Sequence, residues 1–477
     1  MSQTPSSAPT PTALTAQVLV IGGGPGGYVA AIRAGQLGLQ TVVVEADRLG
    51  GTCLIRGCIP SKAMIHAAAK FETVKKAASE AGTLGIFASA PRLDLAQTVA
   101  WKDGIVDKLD GGVGMLLKKA KVTVVKGWAR FSDAKTCVVQ TKDEETLIRA
   151  DNVILANGSV PVELPFLPFG ERVISSTEAL SLPEVPQKLV VVGGGYIGLE
   201  LGIAYRKLGS EVTIVEAGER ILPLYDKALT DPVKKWLDSH GVTTLLGAKA
   251  MGLSDDGTAL KVQTADGSSL TLPADKILVT VGRKPATEGW GLEAMGLTMN
   301  GRFVAVDDQC RTGMKGVYAI GDLVGEPMLA HKASAQGEMV AEIIAGKART
   351  FAPNSIAAVC FTEPEIVSVG LGPLDAAAQS EHVASASFGF AGIGRALTME
   401  AGNDGGFVRI LSDKRDGRIL GIQAVGQHVS ELSGEFALAV EMGAVIEDIV
   451  GTIHVHPTLS EAFHEAALKT LGHAIHG

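Results

Sequence analysis

The chain has 477 residues, 46% of them hydrophobic, with 58 glycines and 43 Lys+Arg against 51 Asp+Glu, a net charge of −8. That length exceeds one hydrophobic core and implies several domains. The acidic balance, with no long basic run, argues against a nucleic-acid partner and an anionic membrane surface, and no apolar run reaches the ~18 residues of a membrane span. Five cysteines are too few for a secreted disulfide framework, so a cytoplasmic setting is expected, in which a disulfide is usually catalytic. Residues 1–14 are Ser/Thr/Pro-rich and lack the features of a signal peptide; they read as a disordered tail.

Gln17–Ile21 is an apolar, β-branched run, readable as a buried parallel strand. Gly22, Gly24 and Gly27 follow in a G-x-G-x-x-G pattern, then a small-residue helix from Tyr28 and a second strand ending at Glu45. Glu45 lies 18 residues past Gly27 (45 − 27), close to the ~20 of a ribose-binding carboxylate. Strand, glycines, helix, strand and acid together predict a dinucleotide site, with the pyrophosphate at the helix N-terminus. A glycine-rich turn without ligand is the plainer alternative.

Directly after this unit comes Gly50-Gly51-Thr52-Cys53-Leu54-Ile55-Arg56-Gly57-Cys58-Ile59-Pro60-Ser61-Lys62. On a regular helix, residues five apart are separated by ~7.5 Å of rise. A disulfide wants its Cα atoms roughly 4.4–6.8 Å apart. A Cys53–Cys58 bridge therefore predicts a distorted first turn, with Gly57 supplying the backbone freedom. A helix N-terminus there predicts a lowered thiol pKa. Two inert thiols, or half of a zinc site, are the alternatives; Cys137, Cys310 and Cys360 are scattered singly and offer no second metal pair.

Residues 63–150 read as helices around 67–78 and 98–119 followed by short strands. Val153–Leu155 runs into a turn at Asn157 and Gly158, and Pro161 and Pro165 read as a way out of the first domain. The opening pattern then repeats. Lys188–Val192 leads to Gly193, Gly195 and Gly198, then a helix, then a strand ending at Glu216, again 18 residues on (216 − 198). Two such units 171 residues apart (193 − 22) imply two dinucleotides on one chain. Glu216 favours NAD, because a carboxylate accepts bonds from a free 2′-hydroxyl and repels a 2′-phosphate; Arg220 nearby is the counter-indication. A redox-active dithiol is read here as sitting next to a flavin; since the dithiol comes just after the first unit, proximity places that flavin there and NAD at the second. From about residue 351 the segments alternate as strands of a mostly antiparallel sheet around 366–369, 407–411 and 419–425, with helices at 432–442 and 458–471. His454, His456 and Glu461 form the last motif. An imidazole oriented by a carboxylate suits a base serving a dithiol, although Thr458-x-x-Glu461 also reads as a capping box.

The segment Gly50–Lys62 resembles the active-site signature of the flavoprotein disulfide reductases, and from residue 15 onward the chain is similar to the branch of that family that oxidises protein-bound dihydrolipoamide. It departs at Ile55-Arg56, which places a cation in the disulfide loop, and at Asn157, where the family has Thr. The resemblance implies an α/β fold of two Rossmann-like dinucleotide-binding domains and a C-terminal α+β dimerisation domain. Its parts fall at 15–153 and 283–350 for FAD, 154–282 for NAD and 351–477 for dimerisation.

It further implies a Cys53–Cys58 redox disulfide with Cys53 exchanging with substrate and Cys58 facing the flavin. His456 would be the base, held by Glu461, with His454 beside it, and Lys62 would pair with Glu200 near the flavin. The plainer readings of Lys62 and Glu200 are solvated helix residues, and of Asp322 a turn acid. FAD contacts are expected at Gly22, Gly24, Gly27, Glu45, Gly51, Thr52, Lys62, Gly158, Asp322 and His331. NAD contacts are expected at Gly193, Gly195, Ile197, Gly198, Glu200, Glu216 and Gly282; no metal is expected. The partners implied are a second copy of the chain, completing the site as a homodimer, and the lipoyl domain of an acyltransferase subunit in a 2-oxo acid dehydrogenase complex, branched-chain complexes included, or a glycine-cleavage complex. Glutathione-type reductases are opposed by Glu216, and mercuric and large thioredoxin reductases by the lack of any cysteine after Cys360. A flavin-bound subunit without turnover is the rival of another class.

Overall fold

The computed structural model describes residues 12–79, 84–141, 145–379 and 382–476. Residues 1–11 of the expected tail lie outside these, and residues 12–14 form the start of a strand that pairs with residues 146–148. The chain divides into two compact units, Met1–Ala63, Gln97–Val162 and Arg283–Ala352 forming one, and Met64–Ala96, Glu163–Gly282 and Pro353–Gly477 the other.

The first unit is built on a seven-stranded sheet. Strand β1 (Thr12–Ile21) pairs in parallel with β2 (Thr41–Glu45) on one side and with Glu145–Leu155 on the other. Val317–Ala319 extends the parallel part, while Thr136–Gln140 and Trp128–Phe131 add an antiparallel meander. Val18, Leu19, Val20 and Val43 are wholly buried, the expected state of a parallel sheet covered on both faces. Helix α1 (Pro25–Gln36) covers one face and packs on the helix Ala330–Ile344 through small residues. A Cβ on Gly337 would lie 2.3 Å from the Gly26 carbonyl oxygen, so the two backbones approach as closely as glycine permits. Helix α2 (Gly51–Arg56) and helix α3 (Cys58–Ala78) come after β2, separated by Gly57 alone.

The second unit repeats the parallel arrangement. Strand β3 (Lys188–Val192), helix α4 (Tyr196–Leu208) and strand β4 (Glu211–Glu216) sit in a five-stranded parallel sheet ordered Thr243–Leu246, β4, β3, Lys276–Val279, Val173–Ile174. A three-stranded antiparallel meander spans 249–273. The same unit holds a five-stranded antiparallel sheet ordered Ala358–Cys360, Glu365–Gly370, Ile419–Gly426, Phe407–Asp413, Val383–Gly389. Helices α5 (Ser433–Glu441) and α6 (Glu461–Thr470) pack on it around Phe436 and Phe463, whose rings meet edge-on at 5.0 Å. Together these form the two Rossmann-like units and the α+β C-terminal region that the sequence implies. Among the described residues no helix is long and apolar enough to cross a membrane.

Candidate active site

The two glycine loops share one hydrogen-bond skeleton. Gly22 N–H donates to Val44 O at 2.9 Å, and Gly193 N–H to Val215 O at 2.9 Å. Tyr28 N–H closes on Gly24 O at 2.9 Å, and Leu199 N–H on Gly195 O at 3.0 Å. Gly23 N–H donates to Glu45 Oε2 at 2.6 Å, and Gly194 N–H to Glu216 Oε2 at 2.6 Å. Glycine is required sterically at matching positions: a Cβ on Gly27 would lie 1.8 Å from Gly22 O, and one on Gly198 would lie 2.4 Å from Gly193 O. Helices α1 and α4 both begin at a glycine, Gly24 and Gly195, with no side chain capping the first turn. Their N-terminal amides are the anion-binding groups of a dinucleotide fold.

The residues around the first loop fit a flavin dinucleotide. Asn157 Oδ1 is a buried acceptor with no partner among the described residues, beside the Gly22 loop, where ligand hydroxyls would supply the missing donor. Gly158, at φ +72°, faces open space. The carboxylate of Asp322 accepts from Ser159 Oγ at 2.5 Å. Arg283 donates to Ser159 Oγ at 2.8 Å, to Ser159 O at 2.7 Å and to Thr52 Oγ1 at 3.5 Å. Sequence reasoning missed Ser159 as the hub of this network; no motif marks a serine after a glycine turn. His331 stands exposed on the helix Ala330–Ile344.

The dithiol segment is tied directly to that loop. Gly50 N–H donates to Gly23 O at 2.8 Å, and a Cβ on Gly51 would lie 2.6 Å from Gly24 Cα. The helical path breaks at Gly57, where a Cβ would lie 2.8 Å from Thr52 O. The distortion inferred from the cysteine spacing is thus a full interruption, with Cys53 in α2 and Cys58 at the head of α3. Both are free thiols, hydrogen-bonded to each other. Cys58 heads the 21-residue α3, whereas the raised pKa is that of Cys53. The hydrogen bond to Cys58 foremost, then burial and the Cys58 charge, push it well up, with Asp322 adding to the rise and Lys62 opposing it. A six-residue helix has little dipole to set against those effects. The cation in the loop, Arg56, pairs with Asp47 and also acts on the Glu45 carboxylate.

In the second unit Glu200 is 3% exposed, not a surface acid, and accepts from Phe361 N–H at 3.0 Å. Lys62 belongs to the first unit and Glu200 to the second. Glu216 takes both its loop amides, the second from Gly218 at 2.6 Å. Arg220, the residue that could have welcomed a 2′-phosphate, directs its two terminal nitrogens to Tyr225 O (2.5 Å) and Pro223 O (2.6 Å). Ile197 is half-buried beside the open face of Gly195, and Gly282, at φ +125°, is the last residue of the segment Glu163–Gly282.

His456 Nδ1 and Glu461 Oε1 are 2.9 Å apart, and Glu461 Oε2 accepts from Thr458 N–H at 2.9 Å. The capping box read at Thr458-x-x-Glu461 is not formed: the helix begins one residue after Ser460 with no side chain capping it, and Thr458 Oγ1 turns to Val455 O. With Nδ1 bonded, the Nε2 lone pair of His456 is left for chemistry on a side chain that is 79% exposed. His454 faces elsewhere, its side chain 5% exposed, with Nε2 3.1 Å from Glu435 Oε1. No group of His, Cys, Asp and Glu able to hold a metal occurs among the described residues.

Comparison with known proteins agrees with this geometry. Residues 16–337 match the pyridine nucleotide-disulphide oxidoreductase family, and residues 356–467 match its dimerisation domain. The chain is 57% identical to dihydrolipoyl dehydrogenase of Pseudomonas aeruginosa over 97% of its own length and 99% of the relative's. It is 46% identical to the enzyme of the same name from Halobacterium salinarum, over 96% and 97%. The crystal structure of LpdA from Mycobacterium tuberculosis superposes with a TM-score of 0.87 at 28% identity, over 96% of this chain and 99% of that one. Members of the family use FAD and NAD(H). By sequence, fold and the two glycine cradles, the chain belongs to the pyridine nucleotide-disulphide oxidoreductases.

Proposed function

We propose that this chain is a dihydrolipoyl dehydrogenase, oxidising protein-bound dihydrolipoamide and reducing NAD⁺. The observation that carries the reading is the Cys53–Cys58 pair, set on either side of the Gly57 break and tied by Gly50 and Gly51 to the first glycine loop. The similarity to relatives of that name supports it.

In the oxidised form Cys53 and Cys58 are joined. A substrate thiolate attacks Cys53 Sγ, the Cys53–Cys58 bond breaks, and Cys58 leaves as thiolate. His456 of the partner subunit removes the proton of the second substrate thiol at its Nε2, with Nδ1–H held on Glu461. That second sulfur closes the lipoyl disulfide and releases Cys53, so two electrons move from substrate to the cysteine pair. The base is needed for the substrate thiol, which attacks as thiolate. The Gly22–Gly27 loop, Glu45, Gly51, Thr52, Asn157 and Asp322 would hold FAD, which when bound would supply the redox relay between the dithiol and NAD⁺. Glu216 orients the NAD ribose and repels a 2′-phosphate, and Arg220 is turned to the carbonyls of Tyr225 and Pro223. The chain acts as a homodimer through its C-terminal domain, and its substrate is the lipoyl arm of an acyltransferase subunit. A cytoplasmic setting fits the few cysteines of the chain.

The test is NAD⁺ reduction by free dihydrolipoamide, read at the nicotinamide absorbance. Turnover with NAD⁺ and none with NADP⁺ is the expected result. A flavin-loaded dimer that oxidises NADH with an artificial acceptor but never exchanges with lipoamide would overturn the assignment.

A further inference from the structure

Two histidines stand two residues apart in the loop before α6, and their surroundings differ. His456 shows one bonded nitrogen. His454 has an oxygen on each: Nδ1 is 3.0 Å from Thr452 O and Nε2 is 3.1 Å from Glu435 Oε1. A carbonyl oxygen only accepts, and so does a carboxylate. Both bonds exist together only when both ring nitrogens carry hydrogen. The ring is buried between elements, stacked on His464 of α6 at 5.1 Å and meeting the edge of Phe463 at 6.4 Å. Its neighbours Ile453 and Val455 are 95% and 70% exposed. His454 is therefore the inward fastening of a loop whose other side chains point out.

We propose that His454 is a positioning residue, carried as an imidazolium that fastens the loop 452–458 to Glu435 on α5 and thereby fixes the direction of His456. This rests on the reading of His456 as the base. The charged groups facing His454 are Glu435 from α5 and Glu461 from α6, with His464 as the stacked, neutral-capable ring; His476 acts on Glu461 instead. The hydrogen bond to Glu435 foremost holds His454 above the ordinary histidine value, against burial, with the Thr452 carbonyl and the Glu461 charge adding to the rise. A raised folded value stabilises the protonated ring. The fastening is complete below the unfolded histidine value and is lost as pH rises through the raised folded one.

The test uses the flavin-loaded dimer and histidine C2–H exchange measured by mass spectrometry against pH. In the unmodified protein the exchange midpoint of His454 is expected above that of an ordinary histidine, and it falls in Glu435→Gln. Glu435→Gln should lower turnover with dihydrolipoamide about 10-fold, the scale of a small misplacement of a catalytic group, most in the pH window between the variant's lowered His454 midpoint and the raised one of the unmodified protein, with the two converging above both. Oxidation of NADH by ferricyanide, which needs no base on the thiols, stays unchanged. Glu435→Asp keeps the charge and recovers most of the loss. An ordinary exchange midpoint for His454 in the unmodified protein overturns the proposal, whether or not the variant folds. So does a Glu435→Gln protein with a lowered midpoint and full thiol turnover, or one that loses both activities equally. Failure of the base reading is separate: it appears as full turnover in His456→Gln and leaves the His454 midpoint where it was.

Discussion

The two glycine loops are built alike and surrounded differently. Each has the same strand-to-loop hydrogen bond, the same acid on the second glycine amide and the same steric demand at the last glycine. Beyond the loops the two paths diverge. After the first loop, the chain re-enters at Gly50 and Gly51 and delivers two thiols; around it lie an unpartnered Asn157 oxygen and the Ser159–Asp322–Arg283 network. After the second, the chain turns through a segment braced by Arg220, and the helix carries a buried Glu200. The repeated part holds a dinucleotide, and the unrepeated part decides which one and to what end.

The largest effect separates the dithiol from everything else. Cys58→Ser is expected to cost roughly 10⁴-fold or more in dihydrolipoamide oxidation, as loss of a covalent catalytic group does, with flavin content and NADH–ferricyanide activity intact. Stopped-flow reduction of the flavin by dihydrolipoamide checks it; unchanged reduction would end the mechanism. Next, His456→Gln should slow the thiol reaction by ~10²–10⁴-fold, again sparing ferricyanide reduction, and the rate in a verified dimer decides it.

The comparison between the loops is tested directly by one substitution in each. Gly27→Ala drives a Cβ into the Gly22 carbonyl and should yield a colourless protein, while Gly198→Ala should stay yellow and raise the KM for NAD⁺ by about 10- to 100-fold, or ~1.4–2.8 kcal/mol. Flavin absorbance and nicotinamide titration read the two outcomes; equal flavin loss in both would erase the distinction. The smallest effect is at Arg56. Its pairing with Asp47 is solvent-exposed, worth ~0–1 kcal/mol at most. Arg56→Asn should therefore leave turnover within about twofold, and a larger change would mean that this cation acts on the thiols after all.

Much of this is legible in the chain. Period and glycine spacing locate both nucleotide units, because a parallel strand buried on both faces leaves a continuous apolar run and a glycine where backbones touch. The cysteine spacing points to an interrupted helix, and Gly57 supplies it. The strand Val383–Gly389 escapes such reading because its small residues alternate without an apolar signal. Ser159 and Glu435 escape it for another reason. Each gains its role from a partner far away in sequence, Asp322 for one and His454 for the other, and neither local pattern nor propensity carries that information. The rise of the Cys53 pKa is not legible in the chain, because the burial and the hydrogen bond of the second thiol that cause it are not.

Gly57 has a practical use. Any side chain there must displace the Thr52 carbonyl, which lies within the dithiol turn and outside the Gly22–Gly27 loop. A bulky replacement at that position would give a yellow but inert protein. Such a protein would separate the binding of the cofactors from the exchange of thiols in a single polypeptide.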